Sequence, residues 1–392
     1  MKNGTTHSTL LSRLFGSDDL VWWLIGLALA LSIRLSLFSF QSGDYVSHLG
    51  LWYDYIQSHG GFSALRDNFS NYTPPYLYLV WLATKLPVQK LYAVKLIAIP
   101  FDFLLAFITL LIVRLKFQNR TVEFLSFFAV LLAPTVIFNS SLWGQSDAMY
   151  TGFLLASVYY VLRKKPIVAF MFFSIAFSFK TQAIFLSPLF LVLYLKRSVP
   201  AWIVVLLPAT YFLFVIPAWI AGRPLAELMS AHWQQAETFK QLTMNAPNLY
   251  QWLPDDYELF GRFGIVLAAA TVYLFCFLVY KSVVELREDV IIKLALLLVL
   301  MLPFFLPRMH ERYFFAADVM AIVYAFYQPR YFFVPIVVGM VSLFSYFPFL
   351  FGKTVIGLPY LAMAMAGMLL VVLVDTVRSL YPEMLNGIES DV

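Results

Sequence analysis

The stretch DVIIKLALLLVLMLPFFLPRMHER, residues 289–312, decides the class of this chain. From 289 to 306 the only charges are Asp289 and Lys293, and an apolar run of that length crosses a hydrocarbon layer as a helix. The run then stops in a knot of Arg308, His310, Glu311 and Arg312, and a second apolar run follows over 313–327. Apolar spans separated by short clusters of charge are the pattern of a chain that threads a bilayer.

The same pattern repeats outward in both directions. Helices are expected over 20–40, 91–113, 121–139, 148–162, 166–179, 183–195, 200–221, 259–281, 331–350 and 355–378. With 289–306 and 313–327 they make an all-α, polytopic bundle of about twelve transmembrane helices, each satisfying its backbone internally. Residues 74–87 open with Pro74-Pro75 and end at Lys85 and Pro87, and read as an interfacial or re-entrant segment of the first long loop. The pieces flanking Lys180 are short for a full crossing and predict a broken hairpin bordering a groove. Barrel strands would be shorter and would alternate apolar with polar, which these runs do not.

Composition agrees. Hydrophobic residues make up 61% of the chain and charged residues 12%, with a mean hydropathy of +0.78. A soluble domain carries about 25% charged residues, twice as much. The net charge of +5 is spread through the turns between spans and is read as topology, not as a nucleic-acid surface. Cys276 is the single cysteine, so an internal disulfide and a cysteine metal cluster are both excluded. The polar start, through Asp19, leads into a long first span without a cleavage-type signal, and one membrane domain over 1–392 is expected.

Topology follows from where the cations fall. With Lys2 and Arg13 placed in the cytoplasm, alternate turns carry Arg114/Lys116/Arg120, Arg163/Lys164/Lys165, Lys196/Arg197, Lys281/Arg287 and Arg330, and the last span ends at Arg378. All then lie on one side, as the positive-inside rule requires, with both termini cytoplasmic. Loops 41–90 and 222–257 and the connections at 140–147 and 307–312 then share the non-cytoplasmic face. The chemistry of the chain is expected there.

Three clusters on that face carry it. Asp44, in Gly43-Asp44-Tyr45, is a carboxylate at the membrane boundary, suited to take a proton from a hydroxyl, although an ordinary loop acid would read the same way. Trp143-Gly144-Gln145-Ser146-Asp147 gathers polar groups at a helix start, where Asp147 is electrostatically favoured as a cap and also as a substrate contact. Arg308 and Arg312 offer forked donors for phosphate, and His310 and Glu311 between them exceed what headgroup anchoring needs. Arg34, Lys180 with Gln182 beside it, and the Lys95/Asp102 pair on one helical face are ionisable or polar groups at membrane depth. The segment running from His232 to Trp252, with Asn248 in it, combines aromatics and amides in a way that suits a sugar ring and equally an interfacial belt. No glycine-rich nucleotide loop occurs, and His48 and His59 lack ligand spacing. No cofactor is expected; a divalent metal shared by Asp44 and Asp147 is conceivable, but the sequence gives it no support.

In this order these motifs resemble the GT-C superfamily of polyprenyl-phosphate-sugar-dependent glycosyltransferases. The likeness is nearest to bacterial relatives of the mannosyltransferases of GPI-anchor synthesis. Gly43-Asp44-Tyr45, Trp52-Tyr53 and Tyr72-Thr73-Pro74-Pro75-Tyr76 are similar to that superfamily's first external loop, whose acid is the proposed general base. Trp143-Gly144-Gln145-Ser146-Asp147 is similar to a tract of the GPI-type enzymes, and Met309-His310-Glu311-Arg312-Tyr313 to their late His-Glu-basic motif. The likeness covers roughly residues 30–320.

The resemblance implies transfer of a sugar, mannose by the closest likeness, from a polyprenyl-phosphate donor to a lipid, glycan or protein acceptor, with inversion. Asp44 would be the base and Asp147 would support it or orient the acceptor. Arg308, Arg312, Lys180 and His310 would hold the donor phosphate. Tyr45, Trp143, Gln145, Gln182, Asn248 and Glu311 would contact substrate. A bacterial plasma membrane is the expected location. The competing reading is a transporter or flippase for a lipid-linked sugar or other polar substrate, which also uses broken helices and buried charges. A transport path, however, should place comparable polar groups on both faces.

Overall fold

The computed structural model describes residues 17–237 and 240–383, and it is built almost wholly of helix. The first part comprises α1 (Ser17–Ser36), α2 (Gly50–Ser58), α3 (Pro74–Ala83), α4 (Lys90–Leu96), α5 (Ile99–Lys116), α6 (Arg120–Leu131) and α7 (Pro134–Ile137). Then come α8 (Asp147–Leu162), α9 (Pro166–Phe179), α10 (Ser187–Leu195), α11 (Leu206–Ile220) and α12 (Leu225–Glu237). The last part holds α13 (Tyr257–Lys281), α14 (Glu288–Phe305), α15 (Phe315–Tyr327), α16 (Phe333–Phe351) and α17 (Leu358–Leu380). Two short strands, β1 (Thr243–Met244) and β2 (Met309–His310), pair in parallel with Thr243 opposite Met309.

Among the described residues five helical segments are long and apolar enough to cross a membrane: Lys90–Lys116, Ala201–Ile220, Tyr257–Lys281, Pro329–Phe351 and Leu358–Leu380. A sixth results if Arg120–Leu131 and Pro134–Trp143, which meet at 47°, are taken as one bent span. Leu20–Ser36, Pro166–Phe179 and Thr181–Leu195 are shorter apolar helices. The chain is therefore an all-α bundle of the integral membrane kind. The run at 289–306 forms α14, and every residue from Val290 to Phe304 is buried, so this helix is the bundle's centre and not part of its outer wall. Residues 74–87 give only the ten-residue α3, too short to cross.

Interruptions in the helices follow the sequence. Pro134 cannot donate a backbone hydrogen bond, and the helix bends between Leu131 and Pro134. Beyond it the backbone widens into a π-helical turn, Phe138–Trp143, closed by Gly144 at φ 83, a conformation that suits glycine. At Lys180, as the short flanking runs predict, α9 stops; the residue is extended, and a 3₁₀ turn over Thr181–Leu186 leads into α10.

Buried charges lock these breaks together. Arg34 on α1 is 1% exposed and donates to Asp102 Oδ2 on α5 at 2.9 Å. Its other nitrogens reach Ala30 O at 3.2 Å and Leu131 O at 2.8 Å, the latter at the bend before Pro134. Ser140 in the π turn donates to the same Asp102 oxygen at 2.6 Å. Lys95, the other ionisable group expected on that helical face, pairs with no carboxylate among the described residues. It donates instead to the carbonyls of Leu37, Phe38 and Phe40 at 3.1, 3.0 and 2.7 Å, just past the end of α1. Carbonyls at a helix end lack intrahelical donors, and a lysine can supply them.

The basic turns gather at the opposite end of α5. Lys116 donates to Tyr327 O at 2.5 Å and Tyr327 OH to Ile112 O at 3.0 Å. Lys196 donates to Ser282 O, whose own hydroxyl donates to Leu380 O at 3.0 Å. Lys293 and Arg330 share the buried Asp375 at 2.8 and 2.6 Å.

Replacing one member of a buried ion pair leaves the other charge uncompensated, which costs about 3–5 kcal/mol. Arg34→Met is therefore expected to lower the thermal midpoint of the purified protein in detergent by many degrees. The double change Arg34→Met/Asp102→Leu should recover most of that loss. Equal midpoints for the single and double variants would show that the pair does not hold the bundle.

Candidate functional site

Asp44 lies in the turn after α1, between the carbonyls capped by Lys95 and a short π-helical stretch from Tyr45 to Leu49. Ser42 pins this turn to the other polar tract: its hydroxyl donates to Trp143 O at 2.7 Å and accepts from Tyr45 N at 3.2 Å. Trp143 Nε1 donates to Asp44 Oδ2 at 2.9 Å, Gln145 Nε2 donates to the same oxygen, and Arg312 Nη1 stands 3.9 Å away. Tyr72 OH donates to Gln145 Oε1 at 3.0 Å, which fixes the amide with its NH2 toward Asp44. All these donors address Oδ2. No hydrogen bond among the described residues engages Oδ1, and the Asp44 side chain keeps 19% of its exposure.

The cations come from two other breaks. Lys180, at the end of α9, donates to Asp147 Oδ1 at 2.7 Å, and Asn139 Nδ2 donates to Oδ2 at 2.7 Å. Asp147 is 0% exposed and both its oxygens are taken. Its oxygens hold Lys180 and Asn139, and it is not among the residues that line the cavity beside Asp44. Lys180 Nζ also lies 5.4 Å from the Tyr72 ring centre. Arg312 sits over Trp143, 5.3 Å from the ring, and donates to Glu311 Oε1 at 3.1 Å. Arg308 has φ 62, donates its backbone N–H to Leu242 O at 2.8 Å and lays its guanidinium 4.1 Å from the Tyr257 ring centre. The β1–β2 pairing sets the position of the whole 308–312 knot.

Protonation follows from this crowding. Burial, with Arg312 and Lys180 adding to it, pushes the His310 imidazole well below its ordinary range, so it is neutral. Arg312 is held above its usual value: burial opposes the charge, but Asp44 and Glu311 beside it outweigh that. Glu311 is raised to about 7 by burial, against the pull of Arg312.

Asp44, Gln145, Lys180, Gln182, His310 and Arg312 line one cavity of about 220 Å³. A second cavity of about 240 Å³, walled by Ile184, Phe185, Leu306 and Tyr257, adjoins it and ends at Arg308; the two share Gln182, Gln235 and Tyr313. A polar chamber thus leads into a mainly apolar one with a guanidinium in its wall.

Several residues expected to contact substrate do not line this cavity. Tyr45 is 8% exposed and packs within the first loop. Asn248, at 0%, accepts from Tyr250 N at 3.3 Å and donates to Pro303 O at 3.4 Å, so it shapes a turn. Trp143 and Glu311, at 0% and 1%, reach the cavity only through Asp44 and Arg312. Five lining residues carried no signal of their own: His48, Leu49, Asn71, Gln235 on α12 and Phe349 on α16. Phe349 stacks on Trp143 at 5.1 Å, so a C-terminal span known only by its hydropathy supplies a wall of the site. Tyr72, quoted above only as part of the first-loop motif, is the residue that orients Gln145.

The raised pKa of Glu311 has a sign. Between its ordinary pKa of 4.5 and about 7 the folded protein holds a proton that the unfolded chain has released, so this group's contribution makes stability fall as pH rises through that window. Glu311→Gln should flatten that part of the profile, a difference on the order of 2 kcal/mol. Thermal midpoints of both proteins at about pH 5 and about pH 8 check it; parallel profiles would refute it. No family model and no curated protein matches this chain.

Proposed function

We propose that this protein transfers a sugar from a polyprenyl-phosphate carrier to an acceptor hydroxyl on the non-cytoplasmic face of a membrane. The observation that carries the reading is the state of Asp44. Its Oδ2 is held by Trp143 and Gln145 with Arg312 nearby, while Oδ1 takes no hydrogen bond among the described residues, beside a cavity that Lys180 and Arg312 also line. A carboxylate fixed through one oxygen and open at the other is arranged as a general base. Two cations in the same cavity suit a departing phosphate.

In the proposed step the acceptor hydroxyl gives its proton to Asp44 Oδ1. Its oxygen attacks the anomeric carbon in line, the bond from that carbon to the phosphate oxygen breaks, and polyprenyl phosphate leaves with the electron pair, so the configuration inverts. Lys180 and Arg312 stabilise the charge that develops on the phosphate. Neutral His310 offers or accepts one hydrogen bond without adding charge. Arg308, in the wall of the apolar cavity, would meet the carrier where phosphate gives way to isoprenoid. Mannose as the sugar, a GT-C-like arrangement of about twelve crossings, both termini in the cytoplasm and a bacterial plasma membrane belong to the same proposal. The gathering of basic turns at the end away from Asp44 supports the sidedness.

The test is turnover by purified protein in lipid, given polyprenyl-phosphate mannose and a panel of glycan, lipid and peptide acceptors. Asp44→Asn should lower transfer by about 10²–10⁴-fold while donor binding persists. Transfer that survives the change would move the base elsewhere. Failure of the wild type to transfer, together with movement of radiolabelled sugar lipid across the bilayer, would replace the enzyme by a carrier.

A further inference from the structure

Away from the polar site, the bundle holds a cavity of about 510 Å³ between the α6–α7 bend and helices α15 and α16. Its walls are apolar, with Phe128, Leu132, Pro134, Ile322 and Ile336 among them, and its volume is in the range of small-molecule sites. Ile336 and Met340 at its rim are 57% and 42% exposed, so it opens on the apolar flank of the bundle, where membrane lipid would lie.

One acidic side chain interrupts this lining. Asp318 on α15 is 3% exposed, and its Oδ1 accepts from Ser342 Oγ at 2.6 Å. No hydrogen bond reaches Oδ2 among the described residues; Thr135 beside it does not complete one. No basic side chain accompanies it among the described residues, in contrast to Asp102, Asp147 and Asp375, each of which has its cation. A carboxyl group at membrane depth is costly unless something partners it. Nothing in the proposed transfer uses this one.

We propose that this cavity is a lateral pocket for a lipid alcohol, a long apolar chain carrying one neutral hydroxyl, whose hydroxyl pairs with the Asp318 carboxyl group in its wall. The chemistry selects this class. The apolar walls take the chain, and one carboxyl group without a cation takes one neutral hydroxyl. A carboxyl without an adjacent cation has nothing to hold a phosphate, which separates this ligand from a phosphate-linked carrier in the cavity beside Arg308.

A built-in site for blocking the pocket exists. A β carbon placed on Gly339, which lines the cavity, meets no atom within 4 Å, so Gly339→Leu enters open space without disturbing the helix. The experiment uses full-length protein in lipid nanodiscs, photolabelled with a diazirine-bearing long-chain alcohol and, separately, with its methyl ether and its phosphate monoester. Labelled peptides are mapped by mass spectrometry. The alcohol should label the segments 128–135 and 335–340 about tenfold more than either control, the value of one hydrogen bond to a carboxyl group. Gly339→Leu should remove that labelling at an unchanged thermal midpoint, and Asp318→Leu should erase the preference for alcohol over ether. Equal labelling by all three probes, or labelling that persists in Gly339→Leu, would overturn the proposal.

Discussion

The constraint on which the rest depends is that charge at membrane depth has to be matched on the spot. Arg34 could not lie 1% exposed on α1 without Asp102, and their 2.9 Å contact joins two helices that are far apart in sequence. The pair does more than neutralise. Arg34 also takes the carbonyl of Leu131 at the bend before Pro134, and Asp102 takes the Ser140 hydroxyl in the π turn beyond it. One ion pair thereby fixes α1, α5 and a helix break in a single arrangement. The loop leaving α1 bears Asp44 and the turn leaving the break bears Trp143 and Gln145, so the pair also determines that these groups meet.

The irregular backbone is concentrated where function would need it. Regular helices satisfy themselves and present side chains only sideways, whereas an ended or widened helix can aim groups along its axis. The π turn before Gly144, the extended Lys180 and the left-handed Arg308 each end an apolar run, and each sends a polar group toward the same region. Their exposed backbone groups are accounted for locally. Gly144 N and Gln145 N bond back to Ser140 O and Asn139 O, and Arg308 N bonds to Leu242 O. The site is thus assembled from helix ends, with the buried α14 beside it as a fixed post.

Much of this was legible in the sequence, because membrane helices advertise themselves by length and composition. The apolar runs at 166–179 and 289–306 became helices α9 and α14 with almost the same limits. The three polar clusters were equally visible, since charge and amide between apolar runs have few structural excuses. What could not be read was the pairing. Asp147 and Lys180 are separated by 33 positions and Asp44 and Gln145 by 101, and only the packing decides which carboxylate is consumed by a cation and which is left open. Asp44 and Asp147 look alike as residues after a short polar run; Asp147 is sealed with both oxygens hydrogen-bonded, and Asp44 has one oxygen without a hydrogen bond among the described residues. Phe349 and Gln235 escaped notice because an aromatic in an apolar span and an amide on an amphipathic helix have many ordinary neighbours.

Arg312 links two acids of opposite character. It sits 3.9 Å from Asp44 and 3.1 Å from Glu311, one partly open and one 1% exposed. A guanidinium shared in this way cannot neutralise both fully. While Glu311 keeps its proton, Arg312 is directed to Asp44 and to whatever anion enters the cavity; once Glu311 ionises, part of that field is withdrawn. Arg312 also lies 5.3 Å from the Trp143 ring, which itself donates to Asp44. The ring and the buried Glu311 carboxyl group together position the guanidinium beside Asp44. On the proposed reaction, Arg312 thus stays within reach of both the base and the entering phosphate.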